Sequence, residues 1–289
     1  VSNDRGTFCL QREKAYTCFT SCLIEDSDKQ SMHYHGMTSR SFNDLNYKAC
    51  IDESYEHAKN LLKGAPVETG KYDVIFSHDQ LSDFLGSFSG LFSAKAAQNK
   101  LNPWRDSLGK TVASSKLTIQ DDPHFDKGMT LRLFDDEGTP TRPLTLIENG
   151  KLNSFFHNQA TARYFQTNST GHAARSPRGP LNVGGSHTLI ASGEHSKNEL
   201  VSSGQYLEII ALQGLHSGVD WISGDFSLGA SGYLVKEGKR EKAVRNITLS
   251  GNFYEVLKSL NLLSKERELD SSKSFYAPVI RFESLSVAG

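Results

Sequence analysis

The sequence predicts an α+β fold: a mainly antiparallel, strongly bent sheet or partial barrel with a few helices packed against it. Between Trp221 and Arg245, apolar residues alternate with small or polar ones, which is typical of strands with one buried face. Glycines interrupt this alternation as bulges do, and Glu237-Gly238-Lys239 predicts a tight turn. Strand-like segments also outnumber helical ones elsewhere, so the sheet is expected to dominate.

Composition limits the classes of partner. The 289 residues include 32 Lys and Arg against 33 Asp and Glu, which gives a formal net charge of -1. This balance argues against a broad phosphate-binding face, so we expect no nucleic-acid partner. No apolar run approaches the length of a membrane span, and we expect no membrane partner and a cytoplasmic protein.

The chain begins at Val1 inside strand-like sequence, which suggests a fragment. We expect residues 1–65 to be the end of an N-terminal α/β domain and residues 66–289 to be a β-rich C-terminal domain. The chain shows no secretory signal, so reduced thiols are expected at its four cysteines: Cys9, Cys18, Cys22 and Cys50.

Two or three strands are predicted between residues 5 and 37. Cys18 and Cys22 share one strand face there, and so do His33 and His35. A zinc site and a half-buried sheet both remain open, and these short spacings favour the sheet because they depart from the zinc-finger pattern.

The clearest predicted helix covers residues 43–63, with Ser41 or Asn43 as its cap and Gly64 at its end. His57 is expected at its surface. Three- and four-residue steps predict one buried stripe on this helix: Tyr47, Ile51, Tyr55, Ala58, Leu61 and Leu62.

A second helix is predicted to begin after the cap residue Ser77 and to bury a strongly apolar face. Ser196 and Glu199 form a capping-box pattern, and Asn252 is placed to cap the last helix. The face of the second helix consists of Leu81, Phe84, Leu85, Phe88, Leu91 and Phe92.

Three predicted strands, residues 117–119, 130–134 and 144–147, end in acidic residues followed by Pro or Gly. Such carboxylates can hold two divalent ions, as in phosphoryl-transfer enzymes. Turns also select Asp, Asn and Gly, and we favour that interpretation. The carboxylate cluster that a metal-dependent hydrolase would use is Asp121, Asp122, Asp135, Asp136 and Glu137.

Residues 167–187 form a long polar loop, and loops of this length in compact domains are usually functional. Arg175 and Arg178 lie on this loop, and His187 lies at its end.

Seven stretches, in order and in register, resemble the TldD/PmbA family, also called modulators of DNA gyrase. The resemblance extends from about Thr38 to Gly289. The stretches are Leu117-Thr-Ile-Gln-Asp-Asp-Pro123, Phe134-Asp-Asp-Glu-Gly-Thr-Pro-Thr141, Leu146-Ile-Glu-Asn-Gly-Lys-Leu152, Ser169-Thr-Gly171, Ile222-Ser-Gly-Asp-Phe-Ser-Leu-Gly229, Gly232-Tyr-Leu-Val-Lys-Glu-Gly-Lys239 and Ile247-Thr-Leu-Ser-Gly-Asn252.

The resemblance implies one of two kinds of chain. The TldD kind resembles a zinc protease, with an H-E-x-x-x-H helix and a cysteine near the C-terminus as ligands. This sequence has no H-E-x-x-x-H, no cysteine after Cys50, and in the corresponding helix the single histidine His78. It therefore resembles the PmbA/TldE kind, which implies no catalytic residue and no metal ligand in this chain.

Three functional hypotheses follow. The first is a non-catalytic subunit that pairs with a TldD-like zinc-binding chain and helps to process or degrade unfolded or leader peptides. In that role, strand addition could hold an extended peptide and the loop arginines could cover it. The candidate peptide-binding residues are then Arg175, Arg178, His187 and Asp225. The second is a self-sufficient hydrolase that uses the carboxylate cluster. The third is a binding module formed by a homodimer of this chain.

Overall fold

The computed structural model describes residues 1–4 and 6–289, which form six α-helices and fourteen strands. No helix in this described part is long and apolar enough to cross a membrane. The α-helices are α1 (Tyr47–Leu62), α2 (His78–Gly86), α3 (Ala94–Gln98), α4 (Gln159–Tyr164), α5 (Lys197–Ser202) and α6 (Phe253–Ser259). The strands are β1 (Tyr16–Asp26), β2 (Lys29–Ser39), β3 (Gly70–Phe76), β4 (Ile119–Asp121), β5 (Leu144–Glu148), β6 (Lys151–Leu152), β7 (Ala173–Ala174), β8 (Asn182–Val183), β9 (Thr188–Ile190), β10 (Gln205–Gln213), β11 (Asp225–Lys236), β12 (Lys239–Asn252), β13 (Leu262–Leu269) and β14 (Phe275–Ala288).

Ten strands form one mixed sheet. Its order is β12-β11-β10-β3-β14-β9-β4-β5-β6, and β13 pairs with β14. β3 runs parallel to β10 and antiparallel to β14, while β9 runs parallel to β14. Residues 248–250 of β12 also pair with residues 286–288 of β14, so five strands form a closed circuit. The expectation of a mainly antiparallel sheet is therefore wrong, because β3 and β9 enter it beside strands from distant parts of the chain.

The turn predicted at residues 237–239 joins β11 to β12. Glu237 and Gly238 have φ values of 46° and 75°, as a two-residue hairpin turn requires. The register shifts between Ala230 and Gly232, which marks a bulge. A Cβ atom at Gly232 would lie 1.8 Å from the carbonyl oxygen of Glu208, so glycine permits the close approach of β10. Bulges increase twist, which explains how this long hairpin bends.

The main core lies between the sheet and α2, α6 and the 3-10 helix Ser89–Phe92. Ser77 caps α2 as predicted, since its side chain accepts a hydrogen bond from the amide of Gln80. Phe84 on α2 is fully buried. Its ring lies with centroid distances of 5.1–6.4 Å from five others: Phe76, Phe88, Phe226, Phe253 and Phe282.

β1 and β2 form a separate two-stranded sheet against which α1 packs. Asn46 caps α1, where Ser41 or Asn43 was expected, because residues 42–44 form a separate 3-10 turn. The predicted apolar stripe is wrong in its first half: Tyr47, Ile51 and Tyr55 are exposed. The hydroxyl of Ser54 bonds the Cys50 carbonyl, so a polar residue can face the hairpin. The helix buries Cys50, Ser54, Ala58, Leu61 and Leu62.

The strand predicted over residues 130–134 does not form. The amide of Leu131 donates to the side chain of Glu13, and its carbonyl accepts from the side chain of Gln11. The amide of Arg132 donates to the carbonyl of Pro123. Side chains and a loop from elsewhere in the chain thus satisfy backbone groups that a neighbouring strand would otherwise bond.

Candidate functional site

A deep apolar pocket opens between the helical layer and the sheet. α2, α6 and the 3-10 helix Ser89–Phe92 form one side, and strands β4, β5, β9 and β14 form the other. The cavity volume is about 280 Å³. Concave apolar sites with a few polar groups are the usual form of a ligand pocket. Its aromatic lining consists of Phe88, Phe92, Trp104, Phe156, Phe253, Phe275 and Phe282.

The aromatic wall is held in place by ring contacts. Phe88 and Phe253 stack with centroids 3.7 Å apart and nearly parallel planes. Phe92 lies 5.8 Å from Trp104 and 6.4 Å from Phe156, both edge to face. Interlocked aromatic rings of this kind fix one another, so the pocket is formed before any ligand arrives.

Glycines and hydroxyl groups surround the opening of the pocket. Gly86, Ser89 and Gly185 are exposed there, whereas Ser82, Ser186, Thr188 and Ser274 are half-buried. A Cβ atom at Gly86 would meet no heavy atom within 4 Å, so space is open at the last residue of α2. A Cβ atom at Gly185 would lie 2.6 Å from Oδ1 of Asp121, so glycine is needed for the chain to pass this carboxylate.

A buried Asp–His pair supports the edge of the pocket beside Gly185. Oδ2 of Asp121 lies 3.0 Å from Nε2 of His172, and both side chains are 1% exposed. Oδ1 of Asp121 accepts from the amide of Ser186 at 2.6 Å. Phe156 stacks on the His172 ring at 4.6 Å and also lines the pocket. Asp121 therefore positions the rim of the pocket rather than standing in an open acidic site.

The other four carboxylates of the proposed cluster bond backbone amides. Asp122 accepts from the amide of His124, and Glu137 accepts from the amide of Gln159. Asp136 accepts from the amide of Arg175.

Asp135 is the most deeply placed of these four. It is fully buried and accepts from three amides, those of Glu137, Thr139 and Ala173. Together, Asp121, Asp135 and Asp136 fix residues 172–175, which lie within the long loop. The arrangement is one of turn and loop anchoring.

The four peptide-binding candidates lie in different surroundings. Arg175 and Arg178 are exposed on the loop, and Arg175 borders an open cleft together with Arg132 and Asp136. Asp225 is exposed at the start of β11 and accepts from the side-chain amide of Asn252.

His187 is 2% exposed. Its Nδ1 donates to the carbonyl of Asp122, and its Nε2 accepts from the amide of Thr130. A ring enclosed in this way holds the segments at residues 122 and 130 together.

The cysteine and histidine pairs of the β1–β2 hairpin face α1. The sulfur of Cys18 lies 3.7 Å from that of Cys50. Nδ1 of His35 lies 3.3 Å from Oε1 of Glu53. All four cysteines are free thiols, and the Cys18–Cys50 and His35–Glu53 contacts join the hairpin to the helix.

His57 is not the surface residue expected from the sequence. Its side chain is 14% exposed, and its Nδ1 lies 2.8 Å from the Tyr233 hydroxyl on β11. Burial, together with the nearby positive charges of His33, Arg240 and His35, lowers the pKa of His57 to about 4. His57 thus connects α1 to the main sheet as a neutral imidazole at neutral pH.

The zinc that the resemblance implies for the TldD kind does not fit the residues of this chain. Nε2 of His78 donates to the carbonyl of Ala277, and Nδ1 lies 3.9 Å from Glu268. Across residues 1–4 and 6–289, no group of three or more His, Cys, Asp and Glu side chains is placed to hold a metal ion. We therefore derive no chemical step through zinc on this chain.

Sequence reasoning missed the pocket itself. The apolar run on the second helix predicts a fully buried face, yet Leu85 and Phe92 line the pocket and are half-buried. The available signal was the pair of glycines Gly86 and Gly90 within that run, because glycine in an apolar helix marks close packing or an opening.

Comparisons with known proteins agree with the fold. A sequence model of the family described as PmbA/TldA metallopeptidase C-terminal domain matches residues 69–289. The chain is 25% identical over 283 residues to the metalloprotease PmbA of Escherichia coli O157:H7. The aligned region covers 98% of this chain and 60% of the relative. The chain thus spans about 60% of the length of that relative.

Two solved structures are similar. A chain from Thermotoga maritima, described as a modulator of a DNA gyrase, has a TM-score of 0.83 and 31% identity over 94% of this chain and 62% of its own. TldE from Thermococcus kodakarensis has a TM-score of 0.83 and 23% identity over 95% of this chain and 63% of its own, which supports the fold. Because the family model matches most of the chain, the chain belongs to the PmbA/TldD metallopeptidase family.

Proposed function

We propose that this chain is the PmbA/TldE-type subunit of a zinc metalloprotease pair that processes or degrades unfolded or leader peptides in the cytoplasm. It contributes peptide binding, and a TldD-like partner contributes the zinc. The observation that carries the proposal is the combination of a preformed apolar pocket with a ligand set that is incomplete for zinc. Membership of a family whose members are called metalloproteases supports the protease-related role.

Peptide binding is proposed at the edge between the pocket and the long loop. Arg175 and Arg178 are exposed and free to approach a peptide laid across the loop. Asp225, at the start of β11, is a further candidate contact. An extended chain can bond its backbone to a protein while alternate side chains enter pockets, which is the usual form of strand addition.

The self-sufficient hydrolase is the weaker alternative. Asp121 and Asp135 are both buried. The carboxylate oxygens of Asp121 bond a histidine and a backbone amide, and those of Asp135 bond backbone amides. A divalent ion needs several carboxylate oxygens that are free to coordinate it together. The oxygens of Asp121 and Asp135 already accept hydrogen bonds from other groups.

The test is reconstitution. The chain, a TldD-like chain carrying H-E-x-x-x-H, and the two together are assayed for cleavage of an unfolded peptide, and light scattering reports their association. We expect a heterodimer, cleavage that requires both chains, and loss of cleavage with a chelator. The control is the same mixture with the partner's H-E-x-x-x-H histidines replaced by alanine, which should form the pair without cleaving. The proposal would be overturned if this chain alone cleaved the peptide in a chelator-sensitive way. It would also be overturned if the chain formed a homodimer and did not associate with the TldD-like chain.

A further inference from the structure

We propose that the apolar pocket beside Gly86 binds one large uncharged apolar side chain, aromatic or branched aliphatic, of an extended peptide. The identification of the occupant as a peptide rests on the proposed function. The pocket itself is independent of that function, because it follows from the shape and chemistry of the described residues alone.

The size of the pocket suits one ring. An apolar cavity of about 150 Å³ accommodates benzene. The present cavity of about 280 Å³ has room for a phenyl or indole group together with part of the chain that carries it. A peptide residue as small as alanine would leave most of this wall without contacts.

The chemistry of the lining selects an uncharged group. Of the described residues that line the pocket, none is Asp, Glu, Lys, Arg or His. A charged side chain would therefore lose its hydration without gaining a partner. Ser82 and Ser186 lie among the lining residues, where their hydroxyls can bond the backbone of the bound chain.

Gly86 controls entry because it is exposed, ends α2 and has open space where a side chain would begin. A leucine there would start at the opening and occupy it. The substitution is compatible with folding, since glycine is the poorer helix former by about 1 kcal/mol. Ser89 lies at the same opening and is also exposed.

The experiment compares three fluorescent peptides of Gly and Ser that carry a single central Phe, Ala or Asp. Burying the ring should make the Phe peptide bind about 10- to 100-fold tighter than the Ala peptide. The Asp peptide should bind no better than the Ala peptide. Gly86→Leu and Ser89→Leu should each abolish the preference for Phe. Asp83→Leu is the matched control, since Asp83 is exposed on the same helix outside the pocket lining, and it should keep the preference.

The small probe N-acetylphenylalaninamide separates the two proposals. If the reconstituted pair cleaves peptides but neither the probe nor the Phe peptide responds to Gly86→Leu and Ser89→Leu, the pocket inference fails and the proposed function stands. If the probe binds and both variants block it while no partner restores cleavage, the pocket stands and the proposed function fails. Equal binding of the Phe, Ala and Asp peptides to the unmodified chain would also overturn the inference.

Discussion

Replacing Asp135 and its neighbour Asp136 by alanine separates turn anchoring from metal or acid–base chemistry. Asp135 is fully buried and accepts from three backbone amides at 2.9–3.0 Å. Asp136 is 43% exposed, accepts from the amide of Arg175 and lies 3.7 Å from the guanidinium of Arg132. The two carboxylates are adjacent in sequence, so each serves as the control for the other.

The expected cost of Asp135→Ala follows from the amides it leaves behind. Each buried amide without an acceptor costs about 1–3 kcal/mol, and water can reach part of a loop, so we expect about 3–5 kcal/mol in total. For a chain of 289 residues that corresponds to a fall in Tm of about 5–8 °C. Asp135→Asn keeps one oxygen but turns an NH2 group toward an amide, so about half the loss is expected. Asp136→Ala should cost at most about 1 kcal/mol.

Urea unfolding followed by circular dichroism measures these differences. Anchoring predicts the order Asp135→Ala, Asp135→Asn, Asp136→Ala from most to least destabilised. A site built to collect cations predicts the opposite sign, because removing one of several crowded negative charges relieves repulsion. Stability of Asp135→Ala within about 0.5 kcal/mol of the unmodified chain would refute the reasoning.

Three further outcomes are expected. Phe84→Ala should lower the free energy of unfolding in urea by about 3–5 kcal/mol, because it leaves a cavity at the centre of the phenylalanine cluster. Phe8→Ala is the control: Phe8 is 77% exposed, so the free energy of unfolding should change by less than about 0.5 kcal/mol. The pKa of His57 is about 4 in the folded chain and 6.5 ordinarily, so the unfolded chain binds more protons between these values. Stability should therefore fall by up to about 3 kcal/mol as pH drops from 6.5 to 4, and His57→Gln should flatten that slope if the imidazole causes it. Burial and the neighbouring Cys18 raise the pKa of Cys50 to about 11, so Ellman's reagent at pH 8 should modify Cys50 last; equal rates for Cys50 and Cys22 would contradict this.

Local rules predicted the parts of the fold that depend on neighbours in sequence. Ser77 and Asn252 cap helices as expected, and Ser196 with Glu199 forms the expected capping box. The turn at Glu237-Gly238 also forms. In each case the donor and acceptor lie within four residues of each other, so the pattern contains the whole interaction.

The predictions that failed depended on distant partners. Alternation at residues 130–134 is real, but Gln11 and Glu13 bond that backbone, and they lie more than a hundred residues away. The apolar stripe of α1 begins at Tyr47, yet the hairpin accepts Ser54 because Thr20 and the carbonyl of Cys50 bond its hydroxyl. Periodicity shows which side chains of a helix are apolar, but it does not show which face of the helix packs against another element.

The same limit explains why the candidate site could be predicted only in part. The acidic residues are of types that turns select, but their spacing gives no information on whether a carboxylate oxygen meets an amide, a histidine or solvent. The pocket depends on Gly86 and Gly185, which lie in separate motifs and come together only when β9 joins β14 and α2 packs over the sheet. A pocket forms only when residues from distant segments surround one space. The sequence therefore identifies the aromatic residues that line the pocket, but it does not show where the pocket opens. For this chain, the functional question therefore shifts from its carboxylates, which are engaged in holding loops, to an uncharged cavity that no chemical motif marks.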